Sequence, residues 1–395
     1  MAEKKLTIEE KWKFDIETYD NGAKVKTKFP QCDGCLYYVK GDALHCKKYA
    51  EDRKPKEVLL AQKECTLFEP TKSLEVHLSD DIEEKLYGGI FGFVIGDLLG
   101  VPVEFSSRQE RDADPIKELR AYGTYHQPFG SWSDDSSFTL CLMDAMIKDN
   151  IVVELKNNMI DCYKKGLFTP RGQLFDIGIS TGNAINNMMR GINPIECGGV
   201  KENDNGNGSL MRVLPLAFVR DCYGSQEYVR LIEDVSSVTH GHNRSKLACV
   251  IYVLFASNLY RGMEKEEALD SAIRTVVDEQ RERYKSELEH YKFVCNKKVI
   301  DLDRIQIKST GYVVDTLEAA VWSFFNSKSY KEVVLNAVNL GGDTDTIAAV
   351  AGGLAGIYYG FKDVPNLWIQ NVIEKEKIAD LCDKLFERYN KQEKS

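Results

Sequence analysis

The chain has 395 residues, is 43% hydrophobic, and sets 52 Lys and Arg against 61 Asp and Glu for a formal net charge of -9. That hydrophobic share supports a large core, and the acidic balance excludes a general nucleic-acid binder, whose non-specific affinity needs clustered cations. The charged N-terminus MAEKKLTIEEKWKFDIE lacks the apolar centre of a signal peptide. No stretch reads as the roughly 18 apolar residues of a membrane span, so a cytoplasmic protein is expected, its eleven cysteines reduced or bound to metal.

Residues 1–28 read as a polar lead-in and 29–72 as a separate Cys-rich module. The spacing Cys32-x2-Cys35-x10-Cys46-x18-Cys65 puts four thiols in a stretch with too few apolar residues for a core of its own. Units of about 40 residues usually depend on a metal or disulfides. A structural tetrathiolate Zn²⁺ site is therefore expected, with an iron–sulfur cluster as the alternative. Substrate recruitment, oligomerisation and redox sensing are all open as its role.

A single large domain is expected over 80–392. Leu86, Gly89, Ile90, Phe93, Val94 and Asp97 fall at i, i+3, i+4, i+7, i+8 and i+11, a helical spacing. Further helical patterns cover 138–148, 247–260, 313–325, 330–339 and 347–359. Gly92, Gly96 and Gly100 recur every fourth residue, as do Gly352, Gly356 and Gly360, stripes that let helix backbones approach closely. Helices do not alternate with β-branched strands, so an all-α core is predicted. The charged segment 277–308 reads as surface helix and loop, and Cys141 and Cys249 as small core residues.

Two carboxylate clusters stand before apolar helices: Ser133-Asp134-Asp135 and Asp343-Thr344-Asp345-Thr346. Either one alone reads equally as a helix cap with acidic first-turn residues. Together, each backed by a helix too apolar for solvent, they point to buried carboxylates, which need partners. Oxygen ligands without thiols or imidazoles favour a hard cation, Mg²⁺ or Mn²⁺.

Five motifs stand in order: Gly96-Asp-Leu-Leu-Gly-Val-Pro-Val-Glu-Phe105, Ser133-Asp-Asp-Ser136, Asn207-Gly-Ser-Leu-Met-Arg212, Val238-Thr-His-Gly-His242 and Gly341-Gly-Asp-Thr-Asp-Thr346. This ordered set resembles the ADP-ribosylglycohydrolase family, related to the hydrolase that removes ADP-ribose from dinitrogenase reductase. The resemblance implies a compact orthogonal all-α domain with two Mg²⁺ or Mn²⁺ ions in a cleft. It assigns Ser133, Asp134, Asp135, Asp343, Asp345 and Thr346 to the metals; Ser133 stands where the family often has threonine, and keeps the hydroxyl. Glu104 and Asp176 take catalytic roles by the same resemblance, the first near the metals and the second near the substrate ribose. Asn207, Gly208, Ser209, Arg212 and His240 are expected to bind substrate; the glycine-rich run Asp204–Ser209 is a candidate nest for a pyrophosphate.

The implied activity is hydrolysis of ADP-ribose from an acceptor, foremost arginine, on a protein or a small molecule. A catalytically silent ADP-ribose binder is the alternative, and retention of both carboxylate clusters counts against it. The Cys-rich module generates its own test. Protein purified without air is expected to carry about one tightly held zinc per chain, since thiolate coordination supplies the folding free energy of such a segment. Elemental analysis of Cys32→Ser should show that metal gone; four freely titratable thiols and no metal in the unaltered protein would remove the site.

Overall fold

The computed structural model describes residues 74–390, so the lead-in and the Cys-rich module lie outside the described residues. Within them the regular structure is helical, with three isolated bridges and no strand. The α-helices of six residues or more are α1 (Asp81–Gly100), α2 (Arg108–Ala113), α3 (Asp134–Met146), α4 (Ile151–Lys165), α5 (Ile179–Met189), α6 (Ser225–Ser237), α7 (Asn243–Tyr260), α8 (Lys265–Arg274), α9 (Val313–Phe325), α10 (Tyr330–Val338), α11 (Thr344–Tyr359), α12 (Asn366–Asn371) and α13 (Lys375–Asn390), and a 3-10 helix covers Leu214–Cys222.

The glycine stripes face each other. A Cβ on Gly88 would lie 2.2 Å from the Gly356 carbonyl oxygen, one on Gly92 2.6 Å from that of Gly352, and one on Gly96 2.1 Å from that of Ala348. At the end of the row, a Cβ on Gly100 would sit 2.2 Å from the Asp345 nitrogen. Numbers rise along one helix as they fall along the other, so α1 and α11 are antiparallel and touch backbone to backbone. Glycine inside a helix costs about 1 kcal/mol relative to alanine, and only a hydrogen fits here. α9 and α10 pack on α11, α7 on α11 and α6, and α13 on α1 and α3.

Two sequence expectations change. Asp81–Val103 is in fact long and apolar enough to cross a membrane, but its most apolar window is wholly buried within the protein, so it is a core helix. The segment 277–308 is not a surface appendage. Tyr284, Tyr291, Val294 and Val299 are buried, and the Tyr291 hydroxyl donates to the Arg244 carbonyl at 2.7 Å, because these apolar residues among its charges turn inward, whereas Ile305 stays 79% exposed.

Helix starts also move. The clusters predicted to precede apolar helices are their first turns: α3 begins at Asp134 with Ser133 as cap, and α11 at Thr344 with Asp343 as cap. Carboxylates are favourable there, at the positive end of the helix dipole.

The stripe predicts a sharp contrast in stability. Gly356→Ala would place a Cβ 1.8 Å from the Gly88 carbonyl oxygen, and should cost roughly 3 kcal/mol or more by forcing the helices apart. Gly182→Ala, in α5 with nothing within 4 Å, should gain about 0.5–1 kcal/mol. Urea midpoints measure both, and equal midpoints would refute the close packing.

Candidate active site

The first wall of the site is the start of α3. Asp134 and Asp135 are each 2% exposed. The Ser133 hydroxyl caps the helix by accepting from the Asp135 N–H at 3.2 Å. Beneath it lies Asp97 of α1, which accepts from the Ser133 N–H at 2.9 Å, the Ser136 N–H at 3.0 Å and the Ser136 hydroxyl at 2.5 Å. Burial pushes the Asp97 carboxyl up to about 6 while these bonds from Ser136 and Ser133 hold it down. Asp97 thereby ties the first turn of α3 to the glycine-striped helix.

The second wall is the turn before α11. Gly341 and Gly342 take φ +73° and +74°, the left-handed region that glycine alone enters freely. A Cβ on Gly342 would meet the Ser309 carbonyl oxygen at 2.0 Å, and one on Gly341 that of Ser106 at 2.7 Å. Gly342 accepts from the Phe105 N–H and donates to the Ser106 carbonyl, both at 2.7 Å. This pairing brings Glu104 beside Asp343 and Asp345, with ligating oxygens of the three all within 4.8 Å of one another.

Among the described residues no Lys or Arg forms an ion pair with these carboxylates. Glu104 Oε2, Asp135 Oδ2, Asp343 Oδ1 and Asp345 Oδ2 are buried with no hydrogen-bond partner. Desolvation, then Asp176 and Asp343, pushes the Glu104 carboxyl up to about 9. Burial first, then neighbouring carboxylates, raises Asp134, Asp135 and Asp345 well above the ordinary range. Asp343 is raised by burial, against a bond from Asn207, and Asp176 likewise, against one from Tyr125. Orphaned buried carboxylate oxygens drawn from both walls are what a hard divalent cation satisfies. The Ser133 and Thr346 residues, also buried, add hydroxyls at the same two helix starts.

A third segment closes the site. Asp176, at φ +62° in the loop before α5, accepts from the Tyr125 hydroxyl, and the Thr124 hydroxyl donates to the Glu104 carbonyl at 2.8 Å. Asn207 donates through Nδ2 to Asp343 Oδ2 at 2.8 Å and to the Thr316 hydroxyl at 2.9 Å, orienting that carboxylate. Beside it a cavity of about 540 Å³ opens between Asn205, Gly206, Gly311, Tyr312 and Arg244. The Arg244 guanidinium is held by Glu202 and Glu287.

The 207–212 motif follows directly on the cavity residues Asn205 and Gly206. A Cβ on Gly208 would lie 2.8 Å from both His240 Cε1 and the Thr181 hydroxyl, so this glycine rests against His240. Burial, then the Arg212 charge, lowers His240 to about 3 and keeps it neutral. Ser209 and Arg212, expected to bind substrate, are 0% exposed. Ser209 accepts from the Ser236 hydroxyl at 3.0 Å, and the Arg212 guanidinium donates to the carbonyls of Gly208, Val235 and Ser236. They shape the loop from behind.

Sequence reasoning left Asp97, Tyr125 and Thr316 without roles. Asp97 carried a signal, a carboxylate in register with an apolar helix stripe. Tyr125 and Thr316 reach the site only through tertiary packing.

Residues 78–395 match the family model described as ADP-ribosylglycohydrolase. The chain is 32% identical to the ADP-ribosylarginine hydrolase Tri1 of Pseudomonas putida, over 77% of this chain and 78% of that protein. It is 25% identical to the ADP-ribosyl-[dinitrogen reductase] glycohydrolase of Rhodospirillum rubrum, over 75% of this chain and 93% of that one. A solved structure titled "ADP-ribosylglycohydrolase-related protein complex" superposes with a TM-score of 0.64 at 25% identity, covering 78% of this chain and 98% of its own.

The crowding of carboxylates sets a pH dependence. Glu104 is held neutral by the fold, so unfolding without a cation releases a proton between pH 4.5, its ordinary value, and about 9. Stability of the chelator-treated protein should therefore fall as pH rises through that window. Mg²⁺ should raise the melting temperature more at pH 8 than at pH 5.5, because it replaces the proton. Calorimetry in EDTA showing a flat or rising melting temperature from pH 5 to 8.5 would contradict the uncompensated cluster.

Proposed function

The chain belongs to the ADP-ribosylglycohydrolase family, and we propose that it hydrolyses the N-glycosidic bond between ADP-ribose and an arginine side chain of a modified protein. The observation that carries this reading is the convergence of four partnerless carboxylate oxygens, from Glu104, Asp135, Asp343 and Asp345, in one buried site. The names of the Pseudomonas and Rhodospirillum relatives, an ADP-ribosylarginine hydrolase and an ADP-ribosyl-[dinitrogen reductase] glycohydrolase, support the bond and the acceptor.

Ser133, Asp134 and Asp135 with Asp343, Asp345 and Thr346 would hold two ions, Mg²⁺ or Mn²⁺. When bound, such ions polarise a water and neutralise the surrounding carboxylates. The reaction adds water across the bond, its oxygen to the anomeric carbon and its proton to the departing guanidine nitrogen. Asp176 faces the positive charge that develops at the ribose, as an oxocarbenium-like transition state requires. Glu104, ionised once cations neutralise the cluster, would take the proton of the attacking water and pass it on to the departing guanidine nitrogen, and Asn207 keeps Asp343 turned toward the site. The cavity beside Gly206, Gly311 and Tyr312 takes the pyrophosphate and adenosine end. A silent ADP-ribose binder would have no need of this charge density.

Incubation with arginine-, serine- and base-linked ADP-ribose should release free ADP-ribose from the first. EDTA should abolish the release and Mg²⁺ or Mn²⁺ restore it; restoration by Zn²⁺ alone would contradict the hard-ligand set. Glu104→Gln keeps size and polarity, so ADP-ribose should still bind while single-turnover cleavage slows by roughly 100-fold or more, the scale of a lost acid or base. Unchanged turnover in that variant would remove Glu104 from the chemistry.

A further inference from the structure

Phe105 is anomalous in two ways. It is a large apolar side chain left 70% exposed, directly after the buried Glu104. Its backbone stands at φ +62°, a left-handed conformation that phenylalanine rarely adopts. The conformation is held from both sides, by the Phe105 N–H on the Gly342 carbonyl at 2.7 Å and the Ser106 N–H on the Val103 carbonyl at 3.1 Å. The same glycine turn that carries Asp343 thus turns the ring outward.

The ring is not isolated. Phe105 and Tyr125 lie 6.4 Å apart between centroids at 61°, and Tyr125 and Phe175 5.4 Å apart at 46°. The Tyr125 hydroxyl donates to Asp176, Phe175 precedes Asp176, and Phe105 follows Glu104. Three partly or largely exposed rings therefore form a continuous shelf whose two ends are chained to the two catalytic carboxylates.

Resting on the arginine-hydrolase reading above, we propose that Phe105, Tyr125 and Phe175 are the acceptor subsite, on which the guanidinium of the ADP-ribosylated arginine stacks. A guanidinium glycosylated on one nitrogen keeps its plane and its positive charge. Planar, weakly hydrated cations stack on aromatic faces, and the flanking carboxylates complement the charge. A serine-linked acceptor, being neutral, would gain nothing from the rings. The shelf thus sets the acceptor, while the carboxylate cluster acts on the bond.

Phe105→Ala keeps the Cβ and hence the backbone geometry, and an exposed ring contributes little to the fold. On arginine-linked substrate, kcat/KM should fall roughly 5- to 30-fold, mainly through KM, as expected for loss of a cation–ring contact. Affinity for free ADP-ribose, measured by calorimetry, should stay within about twofold, since that ligand lacks the stacked group. Phe105→Tyr should restore nearly all of the loss. An unchanged kcat/KM in Phe105→Ala, or an equal loss of ADP-ribose affinity, would overturn the shelf while leaving the arginine-hydrolase reading intact. If the unaltered enzyme releases nothing from arginine-linked substrate, both fall together.

Discussion

Everything at the site hangs on how closely α1 and α11 approach. Gly88, Gly92, Gly96 and Gly100 meet Gly356, Gly352, Ala348 and Asp345 in turn, so backbone atoms, not side chains, set the spacing. Backbone contact is far less compressible than a layer of leucines, which repack at modest cost. Because α1 carries Asp97 and leads directly into Glu104, while α11 starts at Asp343 and Asp345, the same contact fixes the distance between the two halves of the carboxylate cluster. The Thr344 hydroxyl seals the end of the row by donating to the Gly100 carbonyl at 2.9 Å.

Placing so many acids together works against the fold's own electrostatics. Repulsion and desolvation both favour the protonated forms, and helix N-termini at Ser133 and Asp343 offset only part of that. Asp97 has its counterweight in three donors from Ser133 and Ser136, whereas one oxygen each of Asp135, Asp343 and Asp345 has none. The difference separates a carboxylate that builds the scaffold from carboxylates reserved for a ligand.

Much of the framework was readable from the chain because periodicity and backbone chemistry are local. Helix α9 was predicted at 313–325 and spans Val313–Phe325, since its apolar spacing runs unbroken to both ends. The starts of α3 and α11 were read three to four residues late, because polar first-turn residues interrupt the apolar pattern even when they are helical. The glycine stripes were recognised as close-packing devices, but not that they pair with each other, which is a tertiary fact. At the site, carboxylates announced themselves by clustering. Tyr125 did not, because a lone tyrosine in a turn looks the same whether it meets solvent or Asp176. The motif holding Ser209 and Arg212 did not tell which of its side chains face inward. The four-cysteine segment belongs to residues outside those described.

The pairing of α1 with α11 also bears on the order of assembly. The contact from Thr344 to Gly100 spans 244 residues, so α1 leaves the ribosome long before its partner exists. Until then this helix, apolar enough to pass for a membrane span, has no surface to cover its glycine stripe. Contacts of such sequence separation form late and leave intermediates with exposed apolar surface. The carboxylate cluster therefore comes together only once Asp343 and Asp345 have been made, and a chain cut short before them lacks half of it.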